Sequence, residues 1–316
     1  MKKQFIFYVV ALFIIAGVIT SCIKEDNVDM ENASITMTFS TRANLQVGNG
    51  DSQLADNEEM KTLRVIVARQ NGDVVYNIKT EIQKEETSKK FIFNELTVKP
   101  EGENFDFYAI ANEEGLHFDE ELGFTLDNIK TDEQLQVLRM RNSILAQLPQ
   151  EGESIPQTLW STQTVTPGTN DNFSMNLQFT VVKLTLELIN DTNLPQTITD
   201  IKWENTNAEN TSLFPSQSLP GNKKEDIVVS DMTVPSAETL VKSVYVFENQ
   251  MTSSLPYSFS AQWKGERTID LSKDITELSR GSELYIKVHL LNTATVEFGY
   301  QVRDWTEVSI NLPEYN

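Results

Sequence analysis

The single cysteine, Cys22, lies at a position where a thiol can be acylated. It closes the segment Ile19-Thr20-Ser21-Cys22, in which small residues precede the cysteine in the pattern of a lipobox. In such a segment the thiol forms a thioether to lipid, and the cysteine becomes the mature N-terminus. We therefore predict lipid attachment, including palmitate, at Cys22 and a lipidated tether over residues 22–33. The alternative is an ordinary secretory signal with a chance cysteine.

The segment before Cys22 has the features of an export signal. Lys2 and Lys3 are followed by an uncharged apolar run over residues 5–19. This run of about 15 residues is shorter than the roughly 20 that a helix needs to cross the bilayer core. A positively charged start and a short apolar run are typical of a signal peptide, which we assign to residues 1–21.

A short alternating segment follows the tether. Ile35, Met37 and Phe39 occupy every second position between small hydroxyl residues. Because successive side chains of a strand point to opposite faces, this pattern predicts a half-buried strand over residues 34–41.

The bond between Arg42 and Ala43 is a candidate for proteolysis. It follows the predicted strand and precedes residues 47–52, which are rich in turn-forming residues and are expected to form an exposed loop. An arginine at such a junction is a good site for a trypsin-like protease. The alternative is a solvated basic residue that ends a strand.

Signals for catalysis, cofactors or metals are poor. The sequence has two histidines: His289 lies on the polar side of a predicted strand, and His117 lies in an acidic loop. Gly-rich phosphate loops and the usual metal-binding spacings of His and Cys are absent from the sequence. Asp119-Glu120-Glu121 and the segment from Glu101 to Asp106 could touch a cation, but both lack the spacing of a calcium loop. We therefore expect that the protein is not an enzyme and binds no cofactor.

Composition sets the class of protein. The 316 residues carry a formal net charge of −20 with a pI near 4.5, which argues against nucleic-acid partners. With Cys22 lipidated, no thiol remains for a disulfide. The length allows two domains, and the Ser-, Thr- and Pro-rich residues 155–172 favour a boundary between residues 34–160 and 161–316.

The remaining sequence is mostly of strand type. Asn71-Gly72 between two apolar runs predicts a β-hairpin with positive φ at both turn positions. The long alternating run after residue 172 changes phase at Val181-Val182, which indicates a β-bulge or kink. The alternative is one strand buried on both faces. Several short strands between turn residues predict a β-sandwich fold.

One helix is expected. Thr131 and Gln134 have the spacing of a capping box. Leu135, Leu138 and Leu145 then share one helical face, so the predicted helix extends towards residue 149.

The order of these features along the chain is similar to that of the fimbrillin family, subunits of the Bacteroides-type type V pilus. Lys24-Glu25-Asp26 resembles the surface-export signal of Bacteroides-type lipoproteins. The other segments that carry the resemblance are Thr41-Arg42-Ala43, Leu63-Arg64-Val65-Ile66-Val67, Phe107-Tyr108-Ala109-Ile110-Ala111-Asn112, Val182-Lys183-Leu184-Thr185-Leu186, Val246-Phe247-Glu248-Asn249 and Val302-Arg303-Asp304-Trp305.

The resemblance implies a mainly β chain with two tandem transthyretin-like β-sandwich domains and one or two short helices. It also implies an outer-membrane lipoprotein at the cell surface that joins a fimbrium after cleavage by an Arg-specific surface protease. The displaced strand would carry Ile35, Met37 and Phe39. The partners would be other pilus subunits, and the outer membrane through the lipid before cleavage.

A candidate donor strand lies near the end of the chain, where Val308, Ile310 and Leu312 alternate with polar residues. The competing interpretation is that this strand is simply the last core strand of the second domain. A stalk role is favoured over a non-polymerising anchor because an anchor needs no cleavable arginine.

An unrecognised surface hydrolase is one alternative outside pilus assembly. The other is a surface lipoprotein that binds glycans. It requires exposed aromatic side chains, for which Trp160, Trp203, Trp263 and Trp305 are the candidates.

Overall fold

The computed structural model describes residues 31–41, 57–83, 86, 88–116, 118, 123–141, 154–214, 224–292 and 296–304. In this part of the chain the fold is mainly β, with several sheets packed as sandwiches and one short α-helix, as predicted. The strands of the first half are β1 (Glu31–Thr41), β2 (Thr62–Arg69), β3 (Val74–Glu81), β4 (Ser88–Val98), β5 (Glu103–Ala111), β6 (Arg139–Arg141), β7 (Gln157–Val165) and β8 (Asn170–Phe179). The helix α1 is Asp132–Gln136.

The strands of the second half are β9 (Val182–Asn190), β10 (Gln196–Ala208), β11 (Asn210–Ser212), β12 (Lys224–Val229), β13 (Met232–Val234), β14 (Thr239–Val246), β15 (Asn249–Gln250), β16 (Ser258–Gln262), β17 (Glu266–Asp270), β18 (Glu277–Leu278), β19 (Ser282–Leu290) and β20 (Val296–Asp304). Short 3₁₀ turns lie at Glu113–Gly115, Leu126–Asn128 and Leu271–Lys273.

The first sandwich is built from one seven-stranded path in the order β3-β2-β5-β7-β8-β1-β4. β7 and β8 pair only at Gln157–Phe179 and Thr158–Gln178, so the sheet divides there into two halves. Buried apolar side chains of β1, β4 and β8 form one cluster with those of β2, β5 and β7. The two halves therefore face each other across a shared core.

The second sandwich consists of two layers, the first with mixed and the second with antiparallel strand pairing. One has the strand order β14-β9-β19-β20, and the other has the order β12-β10-β16-β17 with β13 also paired to β10. Side chains of both layers, including Trp203 and Trp263, form a single buried cluster. The layers are thus the two faces of one β-sandwich.

The chain passes from the first sandwich to the second just after Phe179. The predicted change of phase is present: Met175, Leu177 and Phe179 are buried in β8, and the even positions from Val182 are buried in β9. The predicted kink is present as a bend at Thr180 and Val181, whereas the bulge interpretation is wrong because this bend separates two strands that belong to different sheets. The strands up to Phe179 pair within the first sandwich. This sandwich therefore extends beyond residue 160, where composition favoured a boundary.

A third apolar cluster lies between the two sandwiches. Tyr108 and Ile110 of β5 pack there with Phe179, Phe214 and Phe247 from the second half of the chain. The two-stranded sheet of β6 and β11 crosses the same junction. The two sandwiches are therefore joined by a continuous core and by backbone pairing.

The hairpin of β2 and β3 is confirmed, with a different turn. Asn71 has φ 56°, but Gly72 has no positive φ, and Gly72 N–H donates to the carbonyl of Arg69 over 2.8 Å. The connection from Arg69 to Val74 is longer than a two-residue turn, so positive φ at both central positions is not required.

The capping box of α1 is also confirmed. Thr131 Oγ1 accepts from Gln134 N–H, and Gln134 Oε1 accepts from Thr131 N–H over 3.2 Å. The predicted extent of the helix is wrong because the chain leaves the helix after Gln136. Residues 139–141 form β6, whose pairing with β11 replaces further helical turns. Leu145 lies outside the described residues.

Candidate functional site

β1 lies in the middle of its half-sheet, with a neighbouring strand on each side. It pairs antiparallel with β4, where Met37 faces Phe91, and parallel with β8, where Met37 faces Phe173. A strand paired on both edges uses backbone groups of both neighbours, so its removal would expose two strand edges at once. This makes β1 and the groove around it the candidate functional site.

The inner side of β1 is fully enclosed. Ile35, Met37 and Phe39 each have 0% of their surface exposed, which confirms the predicted alternation. Phe39 meets Phe91 of β4 edge-to-face at 5.7 Å between ring centroids. Burying three such side chains stabilises the strand by roughly 1.5–3 kcal/mol each. An empty groove at this position would therefore be unfavourable by several kcal/mol.

The outer side of β1 is polar and makes weaker contacts. Ser34 Oγ donates to Asn94 over 3.1 Å, and Ser40 Oγ donates to Asn176 over 2.7 Å, both in exposed positions. Exposed hydrogen bonds contribute little net stability because water replaces them when they break. Retention of β1 thus depends mainly on its three apolar side chains and its backbone pairing.

β1 ends at Thr41, so the predicted cleavage residue Arg42 is the next residue of the chain. Arg42 and Ala43 lie outside the described residues, as do Cys22 and the candidate donor residues Val308, Ile310 and Leu312. Within the described part of the chain, no helix is long and apolar enough to span a bilayer. Lipid attachment, cleavage and strand donation stay predictions.

After the cleavage region, the described part of the chain begins again at Asn57, in a segment that is held by hydrogen bonds and an ion pair. Asn57 accepts from Ile155 N–H over 2.7 Å, and the Glu58 carbonyl accepts from Gln157 Nε2 over 3.2 Å. The Glu58 side chain is 3% exposed and binds Lys183 of β9 at 2.6 Å. Both sandwiches therefore hold this segment. Sequence reasoning missed this segment, because one acidic residue in a polar stretch is usually a solvated surface charge.

Asn112 fixes the same segment from the other side. It is buried with φ 56°, its Oδ1 accepts from Lys61 N–H over 2.8 Å, and its Nδ2 donates to the Glu59 and Ile155 carbonyls over 2.9 Å. Asparagine tolerates this left-handed backbone conformation better than most residues. The side chain thus ties three segments at the end of β5.

A second buried ionic group lies on the outer face of β2. Arg64 is 4% exposed and binds Glu113 at 2.5 Å and Asp127 at 2.6 Å. Its hydrogen bond with Glu113 is the main cause that raises the pKa of Arg64. Burial opposes ionisation of Glu113, but Arg64 and Lys79 outweigh it and lower the Glu113 pKa. These contacts connect β2 to two turns and place no reactive group in a cleft.

Of the residues screened for chemistry, His289 lies in the described part of the chain. His289 is half-exposed and its Nδ1 lies 2.9 Å from Asp191, while His117 is outside the described residues. Asp119-Glu120-Glu121 also lies outside them, and the part that is described contains no group of acidic, His or Cys side chains arranged for a metal ion.

A buried acidic group with a raised pKa, Asp106, lies at the junction of the sandwiches. Tyr108 O–H donates to the fully buried Asp132 over 2.6 Å, and Thr162 O–H donates to Asp106. Burial, followed by the charge of Asp132, raises the pKa of Asp106, although the Thr162 bond lowers it. We therefore expect this cluster to make the stability of the protein depend on pH.

Three of the four tryptophans considered for an aromatic binding face are described. Trp203 is 0% exposed and Trp263 is 4% exposed, both in the core of the second sandwich. Trp160 is half-buried against Tyr108, and Trp305 lies outside the described residues. Two of the four candidates for glycan contact are therefore core residues.

Comparison with known proteins gives one family and one fold. A family model described as fimbrillin-A associated anchor proteins Mfa1 and Mfa2 matches residues 25–311. A search of curated proteins gives no match.

Three solved structures illustrate the shared fold. The C-terminally truncated tip fimbrial protein Mfa3 of Porphyromonas gingivalis is 16% identical, with a TM-score of 0.57 over 87% of this chain and 100% of that one. A cell adhesion protein of Parabacteroides distasonis is 12% identical, with a TM-score of 0.54 over 89% and 99% of the two chains. An adhesin of Bacteroides thetaiotaomicron is 11% identical, with a TM-score of 0.53 over 89% and 98%.

At these identities the solved structures show a common fold, whereas the family model covers most of the sequence. The chain belongs to the family of fimbrillin-A associated anchor proteins Mfa1 and Mfa2.

Proposed function

We propose that this chain is a structural subunit of a surface fimbrium, exported as a lipoprotein through Cys22 and activated by cleavage after Arg42. The observation that carries the proposal is the position of β1: it is the central strand of its half-sheet, its inner side is fully buried, and it ends one residue before Arg42. A cut there separates β1 covalently from the rest of the fold while leaving both neighbouring strands in place.

Loss of β1 creates an acceptor for another strand. The space vacated by Ile35, Met37 and Phe39 is lined by core side chains of β2, β4 and β5. The edges of β4 and β8 would then lack their partner, which is the situation in which an extended segment adds to a sheet. A neighbouring subunit that donates Val308, Ile310 and Leu312 would restore three apolar side chains at alternate positions. Polymerisation follows from repeating this exchange.

The family description supports a second candidate, a non-polymerising anchor. The matching family model is described by anchor proteins, and an anchor would keep Cys22 and β1 in place. Membership of a fimbrial and adhesion-associated family supports a cell-surface location for both candidates. The N-terminal residue of fimbriae sheared from cells distinguishes them: Ala43 supports a cleaved stalk or tip subunit, and Cys22 supports an anchor.

The mechanism is tested with the variant Arg42→Lys, which keeps the positive charge. The wild type treated with an Arg-specific protease should give high-mass, SDS-resistant ladders, and the variant should give none. A Lys-specific protease should restore ladders in the variant but not produce them in the wild type. Equal ladders from both proteins with the Arg-specific protease would count against cleavage at Arg42 as the switch.

The donor is tested separately. Deleting residues 307–316 should stop ladder formation after cleavage, because no strand is available to fill the neighbour. The cleaved deletion variant should still bind a synthetic peptide of residues 305–316, and the peptide with Ile310→Asp should bind poorly because a charged side chain faces an apolar groove. Equal binding of both peptides would exclude the proposed apolar contact.

A further inference from the structure

Two buried carboxyl groups, those of Asp106 and Asp132, are neighbours where the sandwiches meet. Asp106 in β5 is 1% exposed, and Asp132 at the start of α1 is 0% exposed. Within the described ranges no lysine, arginine or histidine forms an ion pair with either group. A buried carboxylate without a cation is stable only if hydrogen-bond donors surround it.

Asp132 has the surroundings of an ionised carboxylate. Its Oδ1 accepts from Tyr108 O–H over 2.6 Å. Its Oδ2 accepts from the backbone N–H of Asn71 over 3.0 Å and from Gln136 Nε2 over 2.7 Å. Three donors therefore stabilise a negative charge at this position, and hydrogen bonds to a charged group are the strong ones.

Asp106 has fewer donors. Its Oδ1 accepts from Thr162 O–H, whereas its buried Oδ2 has no hydrogen-bond partner. The indole N–H of Trp160 acts against the rise of the Asp106 pKa, but it forms no hydrogen bond with this oxygen. A proton on Oδ2 would remove the charge and make the group a donor, for which Asp132 is the neighbouring acceptor.

The other groups around Asp106 are neutral or lie on the far side of the sheet. Tyr108, on the same face of β5, is the one further titratable side chain that interacts with Asp106 among the residues the structure describes. Ala68 of β2 lies opposite Asp106 in the sheet. Arg69 and Glu103 bind each other on the side of Phe105, which is the opposite face. The charge of Asp106 is therefore coupled mainly to that of Asp132.

We propose that Asp106 and Asp132 share one proton in the folded monomer, and that this acid pair holds residues 131–141, here called the strap, in place across the junction of the sandwiches. The proton is carried on Asp106 Oδ2 and is donated to Asp132. One negative charge then remains on the pair, and the buried oxygen gains a partner. Loss of the proton leaves two like charges next to each other in a buried site, where they repel.

The strap connects the acid pair to the second sandwich. It begins with α1, which contains Asp132, and ends with β6, which pairs with β11. The backbone N–H of Leu213, directly after β11, donates to the carbonyl of Leu138 over 2.9 Å. Tyr108, which binds Asp132, packs against Phe214 at 4.7 Å between ring centroids. Repulsion of Asp132 therefore weakens two contacts that join the sandwiches.

The sign of the effect follows from burial. Burial, together with the charge of Asp132, raises the folded-state pKa of Asp106. The proton is bound in full below the unfolded value of about 3.9 and is lost as pH rises through the folded value. Between the two values, opening of the strap releases this proton, so its opening constant should rise by up to about tenfold per pH unit. The strap is thus held most firmly at acidic pH.

Native-state hydrogen exchange of the uncleaved full chain tests the strap. After correction for the intrinsic pH dependence of exchange, the amides of Leu138 and Leu213 should exchange faster as pH rises from about 4, with the slope given above. Asp106→Asn places an amide N–H where the proton was and should remove this slope. Asp231→Asn, at an exposed position, is the matched control and should keep it.

Two exchange results would overturn the proposal. The first is an equal slope in the wild type and in Asp106→Asn. The second is a slope confined to the amides of β19, which is paired on both sides and opens with the whole fold. That result would show that the proton stabilises the protein without holding the strap.

Carbon-13 NMR of carboxyl-labelled aspartate locates the proton in the wild type. The Asp106 signal, assigned by its loss in Asp106→Asn, should titrate above the ordinary value of about 3.9. Asp132→Asn should lower that midpoint, because it removes the neighbouring charge. A wild-type midpoint at or below about 3.9 would overturn the shared proton, whether or not Asp132→Asn folds. Neither measurement requires cleavage or assembly, so both are independent of the proposed function.

Discussion

Glu58 and Lys183 form a 2.6 Å ion pair that joins the segment before β2 to β9, and so links the two sandwiches. Glu58 is 3% exposed, and Tyr245 O–H, itself nearly buried, lies 3.3 Å from the same carboxylate oxygen. The segment lies downstream of the proposed cleavage site. The pair therefore holds the chain that remains after cleavage, independently of β1.

Removing Lys183 should be strongly destabilising. Lys183→Met leaves the buried Glu58 carboxylate without its cationic partner, which typically costs about 3–5 kcal/mol in the free energy of unfolding. The control Lys287→Met removes a more exposed lysine that is 3.4 Å from Glu187, and should cost about 1 kcal/mol or less. Chemical denaturation measures both. Adding Glu58→Gln to Lys183→Met should recover part of the loss, and equal costs for the two lysine variants would contradict a buried ion pair.

The inner side of β1 should control how fast the strand leaves after cleavage. Met37→Ala removes a fully buried side chain and should lower the stability of the uncleaved monomer by about 2–5 kcal/mol. After cleavage, the same change should speed the release of the β1 peptide, measured by mass spectrometry. Thr38→Ala, on the half-exposed outer side, is the control and should change neither quantity appreciably. Equal release rates would show that the apolar contacts do not retain β1.

Asp106 should make the stability of the monomer fall as pH rises. Burial raises its folded-state pKa above that of the unfolded chain, so its proton stabilises the fold below the unfolded pKa of about 3.9. That contribution is lost as pH rises through the folded pKa. Asp106→Asn should therefore melt at a higher temperature than the wild type at pH 7, with the difference shrinking towards pH 4. The exposed Asp231→Asn is the control, and a constant difference between wild type and Asp106→Asn across this range would contradict the assignment.

Cys22→Ser should abolish lipid attachment, because thioether formation requires a thiol. Cells that express the variant should incorporate no labelled palmitate into the protein and should lose its surface attachment. Ser21→Ala keeps a small residue before the cysteine and should be labelled like the wild type. Labelled palmitate on the Cys22→Ser protein would exclude the lipoprotein assignment.

The strands of the fold could be predicted well because burial follows their period. The alternation of Ile35, Met37 and Phe39 predicted a half-buried strand, and the apolar run of residues 63–68 is buried on both faces in β2. The alternation of apolar residues could not distinguish one bulged strand from two strands in different sheets around Thr180. Both arrangements produce the same change of phase, and only long-range pairing separates them.

The polar groups of the candidate site could not be predicted for a related reason. Glu58, Arg64 and Asn112 belong to polar stretches whose partners lie far away in sequence, such as Lys183 for Glu58. The end of the helix was mispredicted for the same reason. Its capping box lies within one element and could be predicted, whereas its end is set by the pairing of residues 139–141 with β11. Signals contained within one element were predictable, and those that depend on a distant strand were not.

The central position of β1 has a mechanical consequence for a subunit held to the membrane through Cys22. Drag on the body of such a subunit would pull along the axis of β1, since the tether enters at its N-terminal end. The hydrogen bonds to β4 and β8 run across that axis, so both ladders would carry the load in shear rather than unzip from one end. In the uncleaved form the covalent chain through Arg42 would share this load, whereas after a cut at Arg42 the two ladders and the apolar contacts of β1 would carry it alone.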